Sequence, residues 1–280
     1  MIRLIEALDF RCLRYVRQPL EPFHVLIGPN ASGKTTFLDV IGFLGRMVSE
    51  GLEEAVSERT RNFVDLTWGR QGRSFELAIE ARIPEDRKAR LRKGFDTIRY
   101  EIRIGQDQDT AETGILEEKV LLKPPTVVKH DRRHLFPIEP AGPATILTGK
   151  HRYLMLRYQG GLEVPSWMAS DGTLRLLALT IPAYLPDFKG IALIEEPENG
   201  IHPSAVETVF QSLSSVYNAQ VLLATHSPVI LGVADVARVL CLKKTQTGVT
   251  DIVRGDEHPA LKNWKGEVNL SVLFAGGVLG

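Results

Sequence analysis

The run Gly28-Pro29-Asn30-Ala31-Ser32-Gly33-Lys34-Thr35 satisfies every fixed position of the pattern G-x-x-x-x-G-K-[ST], and it constrains the fold more than any other feature of the chain. The pattern functions only between a strand and a helix. Residues 23–27 form an apolar strand signal directly before it. Residues 34–48 read as a helix behind it, with Phe37, Leu38, Ile41, Leu44 and Val48 at the apolar positions. Glycines let the backbone curl so that successive N–H groups face phosphate oxygens, and the helix N-terminus adds the positive end of its dipole. Lys34 is then the cation for the β- and γ-phosphates of a nucleotide, and the Thr35 hydroxyl is a ligand for Mg2+. The nucleotide-contacting set expected from the motif is Gly28, Pro29, Asn30, Ala31, Ser32, Gly33, Lys34, Thr35 and Thr36.

A second strand signal supplies the acids such a loop needs. Residues 191–194 are a continuous apolar run of the kind found in buried parallel strands, and Glu195-Glu196 follow at once. Carboxylates at the carboxyl end of a core strand stand at the crevice where α/β sheets bind ligands. Glu195 is expected to hold Mg2+ through water, and Glu196 to orient the attacking water and take its proton.

Elsewhere the chain divides into two kinds of pattern. Strands are expected at residues 2–8, 10–16 and 23–27, and half-buried ones at 75–83, 98–104 and 117–123. Residues 84–93 read as a short exposed helix, and the prolines at 124, 125, 137, 140 and 143 mark residues 124–145 as a long irregular connection. From Ser170 onward helix and strand alternate: a helix at 171–184, the strand at 191–194, a helix at 204–216, and strands at 221–224, 239–243 and 249–253 with Gly248 in the last turn. Helix 204–216 carries Ala205, Val206, Val209, Phe210, Leu213 and Val216 on one face behind Pro203. The expected fold is therefore α/β, with a mostly parallel core sheet, an antiparallel β lobe and no coiled-coil arm. One domain over residues 1–280 accommodates it, with 1–50 and 160–280 mainly in the nucleotide-binding core and 51–159 mainly in the antiparallel lobe and an irregular insertion.

Composition removes several function classes. The 34 basic residues balance 34 acidic ones, so nucleic-acid binding gains no support from net charge, although it is not excluded. No apolar run reaches the roughly 18 residues needed to span a bilayer, and Arg3, Glu6 and Asp9 interrupt the N-terminal segment where a secretory signal would be continuous. Cys12 and Cys241 have no ligand spacing. A cytoplasmic location is the expectation. Asp107-Gln108-Asp109 has the D-x-D spacing of a metal site but reads as a solvated turn, and His130-Asp131-Arg132-Arg133-His134 lacks the Glu of H-E-x-x-H. The basic groups at 87–93 and 129–134 read as a solvated helix face and a loop. Lys243-Lys244-Thr245-Gln246 lacks the Asp of a guanine-reading motif, which favours adenine.

Several separated motifs together resemble the ABC-type ATPase heads, in the form found in stand-alone prokaryotic AAA-like ATPases of the overcoming-lysogenization-defect, RecF and SMC kinds. Ser170-Asp171-Gly172-Thr173-Leu174-Arg175 resembles their signature motif. Glu195-Glu196-Pro197-Glu198-Asn199-Gly200-Ile201-His202-Pro203 resembles their extended Walker B, Thr225-His226-Ser227-Pro228 their switch histidine, and Phe10-Arg11 their first strand. The resemblance implies that ATP sites form between two heads arranged head to tail. Ser170, Asp171 and Gly172 of one subunit then face the γ-phosphate held by the other, His226 senses that phosphate, and Arg11 is the candidate for adenine contact. The signature is not the LSGGQ form of transporter motors. The Q-loop glutamine is Gln71 or Gln159.

The resemblance further implies an ATP-driven switch that dimerises and regulates a separate effector, such as a nuclease, in prokaryotic anti-phage defence or DNA maintenance. A DNA-repair head gripping DNA directly and a transporter subunit are the alternatives. The apolar, glycine-bearing residues 264–280 read equally as a docking tail or as a last core element.

Overall fold

The computed structural model describes residues 1–88, 94–107, 112–123, 155–157, 161–185 and 188–261, with 270 and 272. In chain order come β1 (Ile2–Phe10), β2 (Leu13–Pro19), β3 (Phe23–Ile27), α1 (Lys34–Glu50), α2 (Leu52–Ser57), β4 (Ser74–Arg82), α3 (Glu85–Lys88), β5 (Thr97–Gln106) and β6 (Thr113–Lys123). Then follow β7 (Met155–Arg157), β8 (Glu163–Pro165), α4 (Asp171–Tyr184), β9 (Gly190–Glu195), α5 (Pro203–Ser214), β10 (Ala219–Ala224), α6 (Pro228–Val233), β11 (Val239–Lys244) and β12 (Thr250–Arg254).

Two five-stranded sheets organise the molecule. One is antiparallel, in the order β2-β1-β4-β5-β6. Ile5, Ala7, Phe75, Leu77, Ile102 and Ile104 form its buried face. Its other face carries a charge lattice. Arg99 meets Glu6 at 2.8 Å and Glu80 at 3.1 Å, and Lys123 meets Glu80 at 2.6 Å. These side chains are only 13–21% exposed, so the lattice is largely shielded and self-neutralised.

The second sheet runs β12-β11-β3-β10-β9. β11, β3, β10 and β9 are parallel, and β12 returns antiparallel after the Gly248 turn (φ 77°). Helices cover both faces, which is why its inner strands are apolar on both sides. α1 lies between the two sheets. Its Phe37, Leu38, Val40, Phe43, Leu44 and Met47 join Leu26, Leu222 and Leu240 below and the antiparallel sheet above. Phe10, Phe43 and Phe75 meet there with ring centres 5.0–5.9 Å apart. On the far face Val25, Ile27, Val221 and Leu223 pack with Val206, Val209, Phe210 and Leu213 of α5 and Ile230 and Leu231 of α6.

Some expectations shift at residue level. β1 continues to Phe10 instead of ending at residue 8, because Phe10 is fully buried and pairs with Leu13 across the Arg11-Cys12 turn. Val48 is 79% exposed: α1 turns Phe43 and Met47 to the core instead. Ile191, Ala192, Leu193 and Ile194 are half-buried, since β9 lies at the sheet edge among the described residues. α2, α6 and the short turns around residues 63–70 were not expected. The connection at 124–145, the basic group at 129–134, Gln159, Asp109, most of the 264–280 segment and the end of the 84–93 helix lie outside the described residues. No helix among the described residues is long and apolar enough to cross a membrane, and none is longer than the 17 residues of α1.

Candidate functional site

The glycine loop is shaped by its neighbours in the sheet. Gly28 has φ 148°, and a Cβ there would lie 2.0 Å from the Leu242 carbonyl oxygen of β11. Gly33 has φ 107°, and its Cβ would meet Thr250 Oγ1 at 2.7 Å. Thr250 in turn donates from that hydroxyl to the Ser32 carbonyl at 2.9 Å, tying the loop to β12. Only glycine fits both positions without moving backbone.

The loop borders a cleft of about 350 Å³ at the carboxyl end of the parallel sheet. Asn30, Ala31, Ser32, Gly33, Lys34, Thr35 and Thr36 line it, together with Arg11, Cys12, Glu195, Glu196, Ala224, His226 and Lys244. Gly28 and Pro29, expected in the contacting set, do not. Gly28 is pressed against β11, and the two residues present their carbonyls to Lys34 Nζ at 2.8 and 3.1 Å. Lys34 is only 9% exposed; burial pushes its pKa down, against the pull of Glu196 and Glu195.

The two expected Mg2+ ligands touch. From the first turn of α1, Thr35 Oγ1 donates to Glu195 Oε2 at the end of β9, 2.7 Å away. A hydroxyl and a carboxylate are hard oxygen donors, which suits Mg2+ completed by phosphate and water. No cluster of three or more His, Cys, Asp or Glu side chains suited to a metal occurs among the described residues, and this donor set does not require one.

Glu196 stands just past β9 in the left-handed region at φ 47°. Such strain in a non-glycine residue costs about 1–3 kcal/mol and persists only where surroundings hold it. Its N–H donates to the Ala224 carbonyl at 2.8 Å, its own carbonyl accepts from Arg175 at 3.0 Å, and Asn199 Nδ2 donates to its carboxylate. Glu198 joins this turn to β10: its Oε1 accepts from Thr225 Oγ1 at 2.8 Å and from the His226 N–H at 3.0 Å. Burial and the nearby Lys34 hold the His226 pKa below 6.5, although Glu196 and Glu198 oppose them.

Ser170, Asp171 and Gly172 do not line the cleft. Ser170 caps α4, accepting from the Thr173 N–H at 3.3 Å, and Gly172 sits where a Cβ would come 2.7 Å from the Gly200 carbonyl oxygen. The N-terminus of α4 therefore rests on the turn that carries Glu196. Arg11 (φ 51°) does reach the cleft, with one Nη 3.2 Å from Asp39, which Arg59 also binds. Gln71 does not line it, and Asp107 directly follows β5, bonded through its N–H to the Glu112 carbonyl. Sequence reasoning missed Cys12, Ala224, Lys244 and Glu198. Glu198 was in view inside the quoted motif, and Lys244 was read only for base recognition.

The sequence matches the family described as "AAA domain, putative AbiEii toxin, Type IV TA system" over residues 23–127 and 122–232. The chain belongs to this AAA family. No curated protein matches it. Among solved structures, the Smc head bound to the C-winged helix domain of ScpA is similar with a TM-score of 0.59 and 15% identity, over 90% of this chain and 96% of that one. RecF with ATP aligns with a TM-score of 0.30 and 17% identity, over 45% of this chain and 28% of that one. The Smc-head likeness concerns the fold. The family match spans the glycine loop, Glu195, Glu196 and His226 and leaves Lys244 outside its bounds.

Proposed function

We propose that this AAA domain binds Mg·ATP in the cleft and hydrolyses it. The observation that carries the reading is the Thr35–Glu195 contact of 2.7 Å, with Lys34, Glu196 and His226 around the same cavity. In this reading Lys34 leaves the Gly28 and Pro29 carbonyls for the β- and γ-phosphates. Thr35 and Glu195 would hold Mg2+, which would supply charge screening for the phosphoryl oxygens. Glu196 orients water and takes its proton. His226, its pKa pushed down by burial and by Lys34, faces the same cavity as the sensor of the γ-phosphate. Arg11 contacts the nucleotide from the β1–β2 turn. Calorimetric titration with Mg·ATP tests this: wild type is expected to bind, and Lys34→Ala to lose binding because the β- and γ-phosphates lose their cation. Undiminished binding by Lys34→Ala would reject the assignment.

We further infer that Ser170, Asp171 and Gly172 act on ATP held by a second copy. Their place outside the cleft, at a helix N-terminus, supports a site completed in trans. The chain is then a switch whose ATP-closed, head-to-tail dimer governs a separate effector such as a nuclease, in defence or DNA maintenance, within the cytoplasm. The family description names an AbiEii toxin of a type IV TA system, which supports a role alongside a separate partner. The Smc head, described as bound to a domain of ScpA, is a precedent for a head of this fold docking a separate protein. Among the described residues, the self-neutralised lattice of Glu6, Glu80, Arg99 and Lys123 on the antiparallel sheet lends the direct DNA-gripping alternative no support.

A further inference from the structure

We propose that Lys244 holds the α-phosphate of the nucleotide, at the end of the cleft opposite the acids; this rests on reading the cleft as an ATP site. The strand order β12-β11-β3-β10-β9 places the glycine loop, which leaves β3, near the middle. On one side Glu195 ends β9 in register with Ala224, the last residue of β10, and His226 follows. The metal, the attacking water and the γ-phosphate belong there. Lys244 ends β11 on the other side and lines the same cleft.

Its position relative to the loop is fixed. Lys244 pairs with Thr250 across the β11–β12 hairpin, and Thr250 donates to the Ser32 carbonyl at 2.9 Å. A triphosphate with its γ end toward β9 and β10 and its β-phosphate over the loop directs its α-phosphate toward β11.

The charges agree with this polarity. The Lys244 side chain is exposed and makes no ion pair or hydrogen bond among the described residues. Arg11, another cation of the cleft, is partly neutralised by Asp39 at 3.2 Å. Lys34 is shared with Glu195 and Glu196. An ammonium on a flexible stem with no competing carboxylate suits a single non-bridging oxygen.

ATP and ADP share the α-phosphate, so both should lose affinity together. In Mg2+ buffer, Lys244→Ala is expected to raise Kd about ten-fold for ATP and for ADP alike, as for loss of a charge-assisted hydrogen bond, and Lys244→Arg to restore most of it. The ATP-to-GTP affinity ratio should not change, and thermal unfolding confirms that each variant is folded. A loss confined to ATP would move Lys244 to the γ end, and an altered ATP-to-GTP ratio would make it a base contact. Unchanged affinity would leave it a solvated strand end. Each of these outcomes overturns the proposal. Wild type that binds no nucleotide would sink the ATP reading with it, whereas wild-type binding with an indifferent Lys244→Ala sinks this proposal alone.

Discussion

Glycines at single positions decide whether the loop can exist. Gly28 lacks room for any side chain, with its Cβ position 2.0 Å from a backbone oxygen and φ at 148°. Gly45, by contrast, is exposed inside α1 with nothing within 4 Å of its Cβ position. Gly28→Ala is therefore expected to lose about 3 kcal/mol of stability, and Gly45→Ala to gain about 0.5–1 kcal/mol by helix propensity. Urea denaturation of the two variants measures both. Equal effects of one sign would contradict the assigned packing. Lys34, Thr35, Glu195 and Glu196 were legible because fixed spacings tie them to strand ends. Lys244 was not, because its relevance comes from β11 lying beside β3, a neighbour relation that single-sequence patterning does not encode.

At the scale of elements, apolar periodicity revealed the strands of the two five-stranded sheets and the long helices, but not β7 and β8, which are three residues each. It misassigned the edge of α1, where Val48 and Met47 are both apolar and only the surrounding core selects between them. It was silent on α2 and α6, each six residues long and too short to show a helical period. β3 also carries a polar residue whose role emerges only in three dimensions. His24 is 1% exposed; its Nε2 accepts from the Glu21 N–H at 2.8 Å, and its Nδ1 lies 3.2 Å from the Arg238 carbonyl. This pairing requires the neutral ring, and burial holds the pKa below 6.5. The unfolded chain therefore takes up a proton near pH 6.5 while the folded one resists. The associated stability is complete above that pH and is lost as pH falls toward the folded value. Denaturation midpoints should drop between about pH 7.5 and 5.5, and His24→Gln should have a shallower slope. His226 and His258, also shifted downward, keep some slope. An identical slope in the variant would remove His24 from the explanation.

In the whole molecule, α1 is clamped between two sheets, and the signature helix rests on the turn that bears Glu196. Arg175 adds a 3.0 Å bond from α4 to the Glu196 carbonyl, so movement of either is felt by the other. If the site is composite, a mixture of Lys34→Ala and Ser170→Arg chains should recover part of the ATP turnover that each lacks alone. One heterodimer site then combines an intact loop with an intact signature. No recovery despite demonstrated subunit exchange would reduce Ser170 to its observed cap of α4. Phosphate release by Glu196→Gln tests most directly whether this cleft hydrolyses ATP with Glu196 as base. The expected result is ATP affinity close to that of wild type with turnover slowed at least about 10²-fold. Turnover that survives the substitution, or binding and turnover lost together, would contradict it.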